Sequence, residues 1–103
     1  MDSELAHQYL RYPAYGLYHV ISLAQSEAGN YVYDIVPTFL SAFDADQRAN
    51  VRAALKWAEE AESIDWEKVL PDLPHSDPFK RAHLRTVLKR IDATYGGVVP
   101  GAG

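Results

Sequence analysis

Cysteine is absent from this chain of 103 residues, so neither disulfides nor thiolate ligands can support the fold, and an apolar core has to supply the stability. Long apolar runs are absent too, with nothing near the roughly 18 residues that a membrane span requires. The amino terminus, MDSELAHQ, is acidic where a secretory signal is basic. These features predict a cytoplasmic protein without membrane contact. Glycine is scarce where it would matter for phosphate binding: of six glycines, three fall in the last seven residues, and Gly96-Gly97 reads as a helix stop. No glycine-rich loop remains to cradle a nucleotide. An excess of basic charge is also lacking. The formal net charge is −4, against a general nucleic-acid binder, which needs a broad cationic face to displace counterions from phosphates.

The patterns of common catalytic sites are missing as well. His7, His19, His75 and His83 form neither a His-Glu-x-x-His pair nor a His-x-Glu followed by paired cysteines, so no metal and no cofactor is expected. Ser22, Ser26, Ser41, Ser63 and Ser76 lie outside any nucleophile elbow, and without cysteine the thiol route is closed. His75 near Asp77 is the best acid–base pair on offer, set against the simpler reading of a solvated histidine in a capped loop. The chain reads as a protein that binds and does not turn over a substrate.

What is present is a core. Apolar residues make up 48% of the chain, and seven Tyr, three Phe and two Trp are too many for a disordered segment. The pattern predicts an all-α fold, a compact bundle of five to six helices with short connections, in a single domain over residues 1–95 with a flexible tail at 96–103. A first helix, capped by Asp2 or Ser3, is expected to end at Tyr12, before Pro13, with Leu5, Tyr9 and Tyr12 inward. A second is expected from Pro13 to Ala28, burying Leu17, Val20, Ile21, Ala24 and Ala28 and stopping at Gly29-Asn30. Tyr9, Tyr12, Tyr15 and Tyr18 read as core rings with hydroxyls at the rim, or else as an aromatic patch for a partner.

Residues 31–43 alternate like a strand at YVYDIV, yet no other stretch could pair with it, so a helix kinked at Pro37 is expected, with Val32, Ile35, Val36, Phe39, Leu40 and Phe43 inward. Asp44 and Gln47 have capping-box spacing and open a helix over about 45–62 whose inner stripe is Val51, Ala54, Leu55, Ala58 and Ala61. Asp65 is placed to cap a short helix ending before Pro71, and PDLPHSDP reads as an extended, stiff linker. Asp77 as cap and Pro78 in first position open the last helix, 78–95, with Phe79, Leu84, Val87, Leu88, Ile91 and Tyr95 on one face and Lys80, Arg81, Arg85, Lys89 and Arg90 on the other.

Charge is distributed unevenly along this framework. Residues 1–58 carry net −2, residues 59–77 net −6 and residues 78–103 net +4. Half of all acids thus lie in EEAESIDWEKVLPDLPHSD, an acidic belt interleaved with large rings. Large rings beside charges are how interface hot spots are built. The candidate partner-binding residues are Glu59, Glu60, Glu62, Asp65, Trp66, Glu67, Asp72 and Asp77. The basic last helix has a competing explanation, that it balances the belt within one molecule.

Arg11-Tyr12-Pro13-Ala14-Tyr15 at a helix junction, together with small size, acidity and the absence of cysteine, resembles the helical immunity proteins with which bacteria neutralise contact-dependent or type VI secreted toxins. The resemblance implies binding of a cognate protein toxin with a basic surface, often a nuclease, and occlusion of its active site. The alternatives are a small helical nucleic-acid-binding or regulatory protein and a small ligand-binding bundle.

Overall fold

The last helix is one of three long helices that carry the packing. In the computed structural model, which describes residues 1–94 apart from the side chain of Leu40, it is α6, Asp77–Thr94, and at 18 residues it is the longest element. The expected Gly96-Gly97 stop, the inward Tyr95 and the tail lie outside the described residues. Before α6 come α1 (Ser3–Ala14), α2 (Leu23–Ala28), α3 (Phe39–Ala42), α4 (Ala45–Glu60) and α5 (Trp66–Val69), with 3₁₀ turns at Tyr15–Tyr18 and Val36–Thr38. No strand occurs among the described residues, and the fold is an all-α compact bundle. Helix α1 packs chiefly on α4 and then α5, α6 lies against α2 and α4, and the whole measures 34 × 30 × 20 Å. Leu10, Leu17, Phe39, Leu55, Leu84 and Ile91 form the fully buried centre.

Two helices follow local signals closely. At α4, the Asp44 carboxylate accepts from the Gln47 amide at 2.8 Å while the Gln47 side chain accepts from the Asp44 amide at 3.0 Å, the reciprocal capping box. Val51, Ala54, Leu55 and Ala58 are buried on its inner face. On α6, Leu84, Val87, Leu88 and Ile91 are buried as the spacing requires. Its start differs from expectation: the Ser76 hydroxyl, not Asp77, accepts from the Phe79 amide, and Asp77 lies inside the helix. Asp65 occupies the cap position of α5 without a side-chain capping bond.

Between residues 13 and 43 the structure departs from the periodic reading. Helix α1 does not break before Pro13; it runs through it and ends at the next residue, Ala14, with both residues buried against the core. Tyr12 consequently points outward. The expected single helix over 13–28 is interrupted. After the 3₁₀ turn the chain extends, and Ser22 starts α2 afresh: its hydroxyl accepts from the Gln25 amide, and the Gln25 side chain accepts from the Ile21 amide at 2.7 Å. This local capping outcompetes the longer period, and it leaves Ile21 83% exposed and Ala24 and Ala28 on the surface, not inside. Gly29 ends α2 at φ 69°, the left-handed stop the sequence predicts.

Residues 31–35 are irregular, neither strand nor helix, and Val32 is 78% exposed where the pattern placed it inward. The reason is Asp34. Its carboxylate accepts from the Val36 amide and the Tyr31 hydroxyl, and forms a bidentate pair with Arg90 of α6. A turn fixed in this way cannot also continue a helix.

Beneath that turn lies a buried polar cluster. His83 is fully buried, so its ring stays neutral, its pKa pushed down to about 4 by burial above all. Nε2–H donates to the Pro13 carbonyl at 3.2 Å, and Nδ1 accepts from the Ser26 hydroxyl at 2.7 Å. Tyr31 stands edge-on to the same imidazole at 5.6 Å. Gly16 is required here, since a Cβ at that position would meet the Tyr31 ring at 2.7 Å.

Candidate functional site

The belt comprises the end of α4, all of α5 and the loops on either side of it, and its main chain is bonded from beneath. Arg81 reaches up from α6 to donate to the carbonyls of Ala58, Ala61 and Glu62, the last at 3.2 Å. A guanidinium on these carbonyls satisfies the C-terminal end of α4, where the helix dipole favours a cation. His7 of α1 accepts from the Asp65 amide at 3.1 Å through Nε2 while Nδ1 donates to the Ser3 carbonyl. The Tyr18 hydroxyl donates to the Pro71 carbonyl, and His75 Nε2 donates to the Val20 carbonyl at 2.7 Å. His75 also stacks on Phe79 at 4.0 Å, so it is half-buried and bonded, not the solvated histidine expected. Nor is the proline-rich linker simply extended: Asp72 at φ 51° and His75 at φ 81° put two left-handed bends in it.

The side chains of the belt behave differently. Glu59, Glu60, Glu62, Asp65, Glu67 and Asp72 are all exposed, and none forms an ion pair among the described residues. Asp77 is the exception. Its carboxylate accepts from the Trp66 indole N–H at 2.8 Å and from Arg81 at 2.8 Å, and these contacts, the indole first, hold its pKa below the usual range. Trp66 is half-buried against the core with Lys80 Nζ 5.0 Å from its ring centroid, and Trp57 packs edge-on to His7 at 5.1 Å. Both tryptophans therefore serve the interior more than the free surface. Among the described residues no three of His, Asp and Glu come together to hold a metal. No described helix is long and apolar enough to cross a membrane.

Beside the belt opens a feature that the sequence reading divided between core and patch. Tyr12 from the end of α1, Tyr15 from the 3₁₀ turn after it, Val32 and Tyr33 from the clamped turn, Phe43 and Leu70 line a mostly apolar cleft of about 430 Å³, together with Arg11, Asp34 and Thr38. Tyr15 stands edge-on to Tyr33 at 5.0 Å and to Tyr18 at 5.4 Å, and Tyr12 to Phe43 at 4.9 Å. Of the four regularly spaced tyrosines, Tyr9 is packed half-buried on the core, whereas Tyr15 is 45% exposed and Tyr33, which joins it from far along the chain, 50%. Cleft and belt are contiguous. Leu70 forms part of the cleft wall, Pro71 holds the Tyr18 hydroxyl, and Asp72 and Glu67 are close enough to add to burial in raising the Tyr18 pKa.

The basic face of α6 is largely committed inside the molecule. Arg81 holds the belt's backbone, Arg90 holds Asp34, and Lys80 lies on Trp66, while Arg85 and Lys89 are exposed. Arg52 of α4 pairs with Asp92 at 2.9 Å. The Ser26–His83 contact has the geometry of a nucleophile and its base, but both residues are fully buried, and the imidazole's other nitrogen is bound to the Pro13 carbonyl. Scans against protein-family models, curated proteins and solved structures return no match to this chain.

Proposed function

We propose that this chain is an immunity-type binding protein that captures a basic protein toxin, one acting on nucleic acid, and covers the toxin's cationic active-site region with the belt. The observation that supports this best is the disposition of charge over residues 59–77. The backbone there is bonded from beneath by Arg81, His7, Tyr18 and His75, yet six of its seven carboxylates point to solvent without an ion pair among the described residues. Glu59 and Glu60 close α4 at the end where the helix dipole disfavours acids, so their placement works against stability. A basic partner would give them a role that the fold does not. Complementary charge would steer a basic partner inward and speed its arrival.

The test is co-expression with the product of the gene adjacent to this one, followed by association kinetics of the two purified proteins. Growth arrest by the neighbour alone, relieved by this chain, is expected. Changing Glu59, Glu60 and Glu67 together to Lys should slow association at low salt, and the difference should narrow as added salt shortens the screening length to about 8 Å. Association as fast and tight as the wild type's at low salt would reduce the belt to a solvated face.

A small-molecule reading has one observation in its favour, since a cleft of about 430 Å³ is within the range of ligand pockets. Asp34 in its lining is already bound by Arg90, Val36 and Tyr31, which leaves Arg11, Thr38 and the tyrosine hydroxyls to orient a ligand on a mostly apolar surface.

A further inference from the structure

The cleft beside the belt has no part in the charge-based capture just described, yet it is a built feature. Val32 and Tyr33 are held in solvent by a turn that cannot fold them inward, because Asp34 next to them is gripped by Arg90 and Tyr31 before them is packed on His83. Apolar surface fixed in this way has its ordering cost met before any partner arrives.

We infer that the cleft seats one apolar side chain of the same basic partner, flanked by a lysine or arginine that meets Glu67 and Asp72, an inference that rests on the function proposed above. Charge and position identify the occupant. Leu70 in the cleft wall is followed within two residues by the exposed Asp72, so whatever fills the cleft lies beside unpaired carboxylates. The lining is mostly apolar and its exposed Arg11 disfavours a cation within the cleft itself, so the entering group is apolar and its charged neighbour lies toward the belt. Edge-on tyrosines around an apolar floor are the composition of an anchoring pocket at an interface centre. The belt then governs arrival and the cleft governs release.

Two capped synthetic peptides test this on the intact chain by NMR titration: one alternates lysine and leucine, the other has serine in place of every leucine and the same charge. The lysine–leucine peptide should shift the signals of Tyr15, Val32 and Tyr33 and bind roughly tenfold or more tightly than its serine counterpart, the worth of one buried aliphatic side chain. Val32→Ser with Tyr33→Ser, both exposed and so tolerated by the fold, should abolish that advantage while leaving lysine–serine binding intact. Equal affinities with shifts confined to residues 59–72 would overturn the cleft's role and leave the belt's standing. No shift with either peptide would overturn both. Concentration-dependent shifts of Val32 and Tyr33 without peptide would make a second copy of this chain the occupant and overturn the inference.

Discussion

Two connections of this molecule handle acidic side chains in opposite ways. In the turn after α2, the carboxylate of Asp34 is consumed within the fold: its side chain is 4% exposed, and Arg90, Tyr31 and the Val36 amide saturate it. In the segment from Ala61 to Ser76, the cation and rings that fix the loop bond to its carbonyls and amides, and its carboxylates are left over. The first arrangement uses charge to fix a shape. The second fixes the shape by other means and keeps the charge available. Among the described residues of the belt, Asp77 alone follows the first pattern, bound by Trp66 and Arg81.

Breaking the first connection should have the largest effect. Arg90→Ala would leave the almost fully buried Asp34 carboxyl without its cationic partner, and a loss of about 3–5 kcal/mol in urea unfolding is expected. Replacing both residues together, Arg90→Met with Asp34→Asn, should recover much of that loss, because no uncompensated charge remains. A single mutant within about 0.5 kcal/mol of wild type would show that the pair does not fix the turn.

The same region should carry a pH dependence of its own. His83 has a folded pKa of about 4, below the unfolded value of about 6.5, so on acidification the unfolded chain takes up a proton that the native state refuses. Stability is complete above the unfolded value and falls as pH drops toward the folded one, by about 2 kcal/mol between roughly pH 7 and pH 5. His83→Gln should remove that component of the slope when unfolding is measured at both pH values. An unchanged slope would show that His83 does not stay neutral in the folded protein.

At the second connection, Arg81→Met withdraws a guanidinium from three carbonyls at the end of α4. Those carbonyls are near the surface and water can replace the lost donor, so about 1–2 kcal/mol is expected, most of it kept at high salt because only the pair with Asp77 is screened. A loss that vanished in high salt would mean that Arg81 serves to neutralise the belt's charge, and the two connections would then use charge in the same way.

How much of this was legible in the sequence follows from the range of the forces involved. The capping box at Asp44, the stripe of α6 and the left-handed stop at Gly29 are local, and each was readable from residues within a few positions. The exposed acids of the belt were readable because solvated charge needs no partner. Between Pro13 and Phe43 the deciding contacts are long-range or compete with the period. Arg90 grips Asp34 from 56 positions away, and Tyr31 fits only because Gly16 leaves room. Extending the apolar period through that stretch placed Ile21 and Val32 inside, and so hid the cleft. One signal there is local: Ser22 and Gln25 have the spacing of a cap, which marks a helix start at Leu23. Which belt acid would be paired was not readable, since Asp77 depends on where Trp66 and Arg81 are brought by the packing of α5 and α6.

The smallest expected effect is also the one that separates a belt kept for a partner from a belt kept for the fold. Glu59 and Glu60 are the last two residues of α4, which has no basic residue in its last turn, and neither forms an ion pair among the described residues. Changing both to Lys places cations where the carbonyl end of the dipole attracts them, a gain of about 0.3–1 kcal/mol in unfolding free energy at low salt, fading as salt is added. The same variant should associate with a basic partner more slowly at low salt. Gain in one measurement and loss in the other would mean that stability has been given up at these two positions for recognition. Destabilisation by the double change would instead make Glu59 and Glu60 part of the fold's own electrostatics, and the belt would then lose its two leading residues as a binding surface.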